Sequence, residues 1–241
     1  MIRSLGRHVG SASLAGILSG LFVGGLLGRV VMRVAGFTSR PELIGVETSN
    51  GNRVGEITFA GTLALVLFVG VIAGIAGGVL YASAEPWMRS LPRKGLLFGC
   101  ALLASLGFAV ITPDNFDFER FGVAPLNVLL FAALFVAFGA MVAFLYERIR
   151  RGIDGTGRSA TALEGLAWLA ALVGCGLAAL TFFSFGGLGD VAPAALFATA
   201  VLVPPLVRWR GLPRYLGYAG FGVPALVGAA RTLSGLAQIV F

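Results

Sequence analysis

Charge is what this chain has least of. Asp, Glu, Lys and Arg supply 12% of its 241 residues, about half the ~25% usual in a soluble domain, and that little charge cannot cover the surface of a 24.9 kDa globule. The shortage excludes a water-soluble fold. Histidine is scarcer still. The one histidine is His8, so a haem, zinc or di-iron site built on several histidines inside a bilayer lacks its ligands. The one lysine, Lys94, stands at the polar start of an apolar run, which excludes a retinal Schiff base in the middle of a last helix. Cys100 and Cys175 each lie within an apolar segment and form no C-x-x-C spacing. Both read as small core residues, and they identify no redox compartment. Intramembrane hydrolysis needs paired acids, a Ser-His pair or a metal motif, yet no acid falls centrally in any apolar run, and Glu164 sits only at the edge of one. Neither an enzyme nor a cofactor is expected.

What is present is apolar. Hydrophobic residues make up 57% of the chain and mean hydropathy is +0.92, so the solvent is largely lipid. A bilayer core about 30 Å thick takes ~20 apolar residues of helix, and seven runs of roughly that size emerge, at 9–36, 57–84, 95–111, 123–146, 163–185, 191–207 and 215–241. The expected fold is therefore an all-α polytopic helix bundle forming one transmembrane domain. Pro224 and Arg231 interrupt the last run, so six spans followed by a re-entrant C-terminal segment is the alternative. Arg3 and Arg7 ahead of an apolar stretch imitate a signal peptide, but the stretch outruns signal-peptide length, and an uncleaved first helix is expected.

Loop charge supplies orientation independently of hydropathy, because Lys and Arg are retained on the cytoplasmic side. Arg3 and Arg7 precede the first run. Arg89, Arg93 and Lys94 follow the second, Arg148, Arg150, Arg151 and Arg158 the fourth, and Arg208, Arg210 and Arg214 the sixth. On the alternate side Arg40, Arg53 and Arg120 are accompanied by Glu42, Glu47, Glu56, Asp114, Asp117, Glu119 and Asp190. The alternation predicts a cytoplasmic N-terminus and acidic external loops. The net charge of +7 is then a topology signal, attractive to anionic lipid headgroups on the cytoplasmic face and without bearing on nucleic acid. Arginine supplies all the basic side chains but Lys94, and Gly and Ala abound. That bias points to a GC-rich bacterial genome, hence to a bacterial inner or plasma membrane. Leu91-Pro92-Arg93 and Leu212-Pro213-Arg214 repeat one tripeptide ahead of the third and seventh runs, a weak echo of two parallel units.

Three constellations stand out. Gly16, Gly20, Gly24 and Gly28 recur at every fourth residue, with a shorter echo at Gly70, Gly74 and Gly78. A stripe without side chains lets a neighbouring helix backbone approach closely, which replaces the hydrophobic drive that lipid does not supply. Arg29 and Arg33 share a helix face near the outer end of the first run, and Arg231 falls in the outer half of the last. A guanidinium at that depth needs an acid or a wet cavity, and Glu56 is the first candidate partner. The loop 112–122 interleaves Asp114, Asp117 and Glu119 with Phe116, Phe118 and Phe121; its spacing is not that of an EF-hand, and Pro113 and Asp114 read as a turn and cap. The glycine-rich stretch 186–190 follows no strand and reads as a connection. Two function classes fit. The intramembrane charge favours the first, a small transporter or channel with an outward-facing site of Arg29, Arg33, Glu56 and Arg231. The alternative is a non-transporting scaffold or subunit of a membrane complex, joined to a membrane-protein partner or a second copy.

Overall fold

The computed structural model of the chain describes residues 2–39, 59–109, 123–154, 161–167, 169–170, 199–201 and 213–240. Glu56, Cys175, the acidic loop 112–122, the stretch 186–190 and most of the fifth and sixth expected spans lie outside the described residues. The described residues are almost all helical, with no strand among them. Helix α1 runs without a break through Ile2–Ser19, Gly20–Leu27 and Gly28–Phe37, and α2 through Phe59–Ala64, Leu65–Ala73 and Gly74–Met88. Helix α3 is Lys94–Leu106, followed by a tight turn at Gly107–Ala109; α4 is Ala124–Ile153 and α5 is Arg214–Val240. Among the described residues three stretches are long and apolar enough to cross a membrane: Gly6–Phe37, Gly61–Met88 and Ala124–Ile153, of 32, 28 and 30 residues.

The ends of the helices differ from the hydropathy boundaries for reasons visible in the side chains. Helix α2 continues past the expected stop at residue 84 to Met88, through Pro86. Helix α4 outruns residue 146 and ends at Ile153, because Ile149 and Ile153, one turn apart, stay buried while Arg148, Arg150 and Arg151 face outward. Its other end begins where hydropathy put it, with Val123 extended and Pro125 in the first turn, where a missing N–H costs nothing. Helix α5 passes Pro224 as one 27-residue helix, without the break that the six-span alternative places there. Cys100 is corrected too: it is exposed on α3 beside Leu96 and Leu97 rather than in the core.

The middles of α1 and α2, Gly20–Leu27 and Leu65–Ala73, are wound as wide π turns and face one another. Such turns are rare at this length. At this level and below it the two backbones touch. A Cβ added at Gly20 would fall on the Gly70 carbonyl oxygen and 2.9 Å from the Gly74 Cα. One at Gly16 would overlap the Gly74 carbonyl and approach the Gly78 Cα to 2.8 Å. Towards the far end contact passes from backbone to side chain, with Val69 Cγ1 at 2.8 Å from a Cβ at Gly24 and Leu65 Cδ2 at 3.8 Å from one at Gly28. A second seam, between α3 and α4, rests on Gly95, Gly99 and Gly139: a Cβ at Gly99 would stand 2.6 Å from the Val136 Cα, and one at Gly95 would stand 2.9 Å from the Ala140 Cα. Helix α5 lies parallel to α3, with Gly217 against the Trp87 indole near one end and Gly228 against the Ala104 and Ser105 carbonyls nearer the other.

The seam makes a graded prediction. Gly20→Ala should destabilise the folded protein in detergent by about 1–3 kcal/mol, the usual range for overpacking, because the obstacle is backbone. Gly24→Ala meets a movable valine and should cost less, and Gly28→Ala and Gly25→Ala, with nearest atoms at 3.8 and 3.7 Å, should be close to neutral. Equal midpoints for all four in a thermal or SDS titration would remove the backbone-contact account.

Candidate functional site at the basic end of the bundle

The start of α1, the end of α2, the start of α3 and the end of α4 meet at one end of the bundle, and the polar chemistry of the described residues gathers there. The arrangement begins with Pro86. In a helix the Ala82 carbonyl would accept from the N–H of residue 86, and proline has none. A buried carbonyl left bare costs about 1–3 kcal/mol, and Ala82 is buried. His8, reaching across from α1, places Nε2 2.8 Å from the Ala82 oxygen. A carbonyl only accepts, so Nε2 carries the hydrogen. In the neutral ring Nδ1 is then an acceptor, and the Tyr146 hydroxyl of α4 donates to it at 2.6 Å. Arg150, one turn on, donates to the same Tyr146 oxygen at 3.2 Å. The chain of bonds Arg150, Tyr146, His8, Ala82 therefore has one direction throughout and ties together α1, α2 and α4.

Aromatic edges enclose the network. Tyr146 meets His8 edge-on at 5.6 Å between ring centroids and Tyr81 at 5.4 Å, and Tyr81 meets Phe98 of α3 at 5.0 Å. Tyr81 and Tyr146 are fully buried, at 0% and 1% exposure, and the Tyr81 hydroxyl finds no hydrogen-bond partner among the described residues. One turn beyond Tyr81, Glu85 is buried and receives two bonds of 3.1 Å from the Arg89 guanidinium. Hydrogen bonding to Glu85 raises Arg89 above its ordinary pKa. Two further ion pairs join separate segments: Arg7 to Glu164 at 2.8 Å through both carboxylate oxygens, and Lys94 to Glu147 at 2.6 Å. Chemically, the arrangement holds helices in register and gives a buried carboxylate a guanidinium partner. Among the described residues no three of His, Cys, Asp and Glu come together to hold a metal.

The outer arginines sit elsewhere. Arg29 is half-buried on α1, and its Nε is shut off from solvent without a hydrogen-bond partner among the described residues. Arg33 is exposed and lies 5.3 Å over the ring of Phe37, four residues on, an exposed cation–π contact worth about 0.5–1 kcal/mol. Arg231 belongs to α5, 5.3 Å from the Phe108 ring. Glu56, their expected partner, lies outside the described residues. The glycines Gly16, Gly20, Gly70, Gly74 and Gly78 meet at backbone distance, with Gly24 and Gly28 at the looser end. Sequence reasoning missed the site built on His8, Tyr81, Glu85, Tyr146 and Arg150. One signal was available: a proline inside an apolar run frees the carbonyl four residues back, and the chain has one histidine with which to meet it.

Tyr146→Phe should cost about 1–3 kcal/mol, the range for a buried polar group left without its partner, because Nδ1 of His8 loses its donor and Arg150 its acceptor. A double-mutant cycle with His8→Ala, read from detergent unfolding midpoints, should give a coupling of about 1 kcal/mol. A coupling of zero would mean that the two side chains are neighbours without being linked.

No protein-family model, curated protein or solved structure matches this chain.

Proposed function

We propose that this chain is a multi-pass protein of a bacterial inner membrane, with its N-terminus cytoplasmic, and that it serves as a non-transporting scaffold or subunit of a membrane complex. The observation that carries the reading is the α1–α2 seam, where Gly16 and Gly20 lie on the backbone of Gly70, Gly74 and Gly78 and leave no lumen between the two helices. The basic end is tied between separate segments by the pairs Arg7–Glu164 and Lys94–Glu147, with Glu85–Arg89 at the end of α2. Two helices in backbone contact and ion pairs between segments at one end suit a rigid unit on which other chains assemble. The orientation is supported by charge: Arg7, Arg89, Arg93, Lys94, Arg150 and Arg151 share that end, and basic residues are retained in the cytoplasm. The partners of such a unit are another membrane protein or a second copy, together with anionic headgroups at the cytoplasmic face. Nothing in the charge pattern favours nucleic acid.

A second reading, a small transporter or channel with an outward-facing site of Arg29, Arg33, Glu56 and Arg231, is favoured by one observation. The Arg29 Nε is buried without a partner among the described residues, as in a guanidinium that takes an anion. Cysteine accessibility separates the two. In a Cys100→Ser, Cys175→Ser background, Val23→Cys and Ala15→Cys, both buried in α1, should resist hydrophilic thiol reagents in the folded protein and react once it is denatured. Proteoliposomes should hold a chloride gradient as well as empty vesicles do. Labelling of Val23→Cys in the folded state, with an anion leak abolished by Arg29→Gln, would replace the scaffold by the transporter.

A further inference from the structure

Beside the basic end lies a cavity of about 190 Å³ between α2, α3 and α5. It is lined by Trp87 and Met88 at the end of α2, Phe98, Ala101 and Ser105 along α3, and Tyr218 on α5. Its wall on α3 runs from Phe98 to Leu106, about 12 Å at 1.5 Å per residue. The lining is largely apolar; its polar side-chain groups are the Ser105 hydroxyl, which already donates to the Ala101 carbonyl at 2.7 Å, and the polar tips of Trp87 and Tyr218. Drug-sized ligands occupy pockets of ≈ 300–1,000 Å³ and need convergent polar groups. A smaller slot, dry and long, fits part of a hydrocarbon chain.

What lies beyond Met88 and Leu91 says which chain. The α2–α3 turn carries Arg89 and Arg93, both exposed. Arg89 is 57% exposed at its side chain even while paired with Glu85. Arg93 makes no ion pair among the described residues, and it stands at φ 52° and ψ 37° in the left-handed region, a conformation costing roughly 1–2 kcal/mol for a residue with a Cβ. Glycine would sit there without strain, yet the position carries a guanidinium. Trp87 and Tyr218 pack edge to face at 5.1 Å between centroids on the same side, the pairing of apolar body and polar tip that suits the level of the headgroups. An apolar slot, an aromatic rim and two exposed guanidinium groups, Arg93 without an ion pair among the described residues and Arg89 beside it with one side on Glu85, follow one another in the order tail, interface, phosphate.

We infer that the slot between α2, α3 and α5 binds one acyl chain of an anionic phospholipid of the cytoplasmic leaflet, its phosphate held by Arg93 and the outward side of Arg89. The inference rests on the membrane placement proposed above and is independent of the choice between scaffold and transporter. Basic pockets between helices on the cytoplasmic side are a known way for proteins to select anionic headgroups; here the fold adds a seat for the tail.

The test uses the full chain with Trp168→Phe and Trp209→Phe, leaving Trp87 as the sole indole, reconstituted in phosphatidylcholine vesicles containing increasing fractions of either phosphatidylglycerol or phosphatidylcholine brominated on one acyl chain. Brominated phosphatidylglycerol should quench Trp87 at a mole fraction at least about tenfold lower than brominated phosphatidylcholine. Arg93→Gln should raise the phosphatidylglycerol midpoint about fivefold, the effect of one near-surface cation. Ala101→Phe, which fills the slot, should abolish the saturable phase with either lipid; Ser105→Phe serves the same purpose if the first variant does not fold. Equal quenching by both lipids, or quenching unchanged by the filled slot, would overturn the inference while leaving membrane placement intact. No quenching by either lipid would overturn both.

Discussion

A carbonyl without its hydrogen bond sets the terms at the basic end. Pro86 removes the donor that Ala82 requires, and because Ala82 is buried bulk water does not stand in for it. The deficit is met from another helix, and the His8 bond that meets it makes α1 and α2 inseparable at that end. Once the imidazole is turned to donate through Nε2, Nδ1 faces α4, and Tyr146 completes the link. One absent N–H thus propagates into a three-helix contact. The same step explains how α2 passes a proline without ending: the partner that Ala82 loses within its own helix is replaced by the His8 ring.

Glycine supplies the constraint in the middle. Backbone contact between α1 and α2 brings Gly20 onto the Gly70 carbonyl, and at this level both helices have widened into π turns. Widening redirects carbonyls from the axis and presents backbone to the neighbour, so a seam without side chains and a pair of wide helices belong together. Lipid offers no gain for burying leucine against leucine, and association comes instead from close dispersion contact. Large apolar side chains accordingly point the other way: Phe22, Leu26, Phe68 and Leu67 are exposed, as they would be in hydrocarbon.

The helical class and the three longest apolar helices were legible because apolar run length is a composition signal that needs no tertiary information. The four-residue glycine spacing was legible for the same reason, since one helix turn places those residues on one stripe. The α3–α4 seam was not, because Gly95 and Gly99 form too short a repeat and Gly139 has no glycine one turn away on either side. Helix ends were misjudged where charge met hydropathy. Glu85 looks like the end of a span, yet it is buried with its charge answered by Arg89 one turn on, and the amphipathic last two turns of α4 carry too many arginines to register as apolar. His8 was passed over because a lone histidine signals no metal site; its partner, a backbone carbonyl made available by Pro86, has no side-chain signature.

The two ends of the molecule handle charge differently, and that difference bears on function. At the basic end cationic and carboxylate groups meet in pairs of 2.6 to 3.1 Å, the buried Glu85 among them answered at the end of its own helix. At the far end Arg33 turns back over Phe37 and Arg231 over Phe108, so that these arginines spend their charge on aromatic faces at the bundle margin. The exposed Arg33, stacked on a ring, reads equally as an interfacial anchor or as a contact for an anion. Arg29 differs from both, because its Nε is enclosed one turn below Arg33 on the same face, where retreat into the headgroups requires the side chain to extend past the Val31 and Arg33 level. Enclosure without a partner is costly in proportion to the dryness of the site. The wetness around Arg29 is therefore the property on which the scaffold and transporter readings divide: a dry site makes the residue a structural burden that the seam must outweigh, whereas a wet one places solvent beside the glycine stripe.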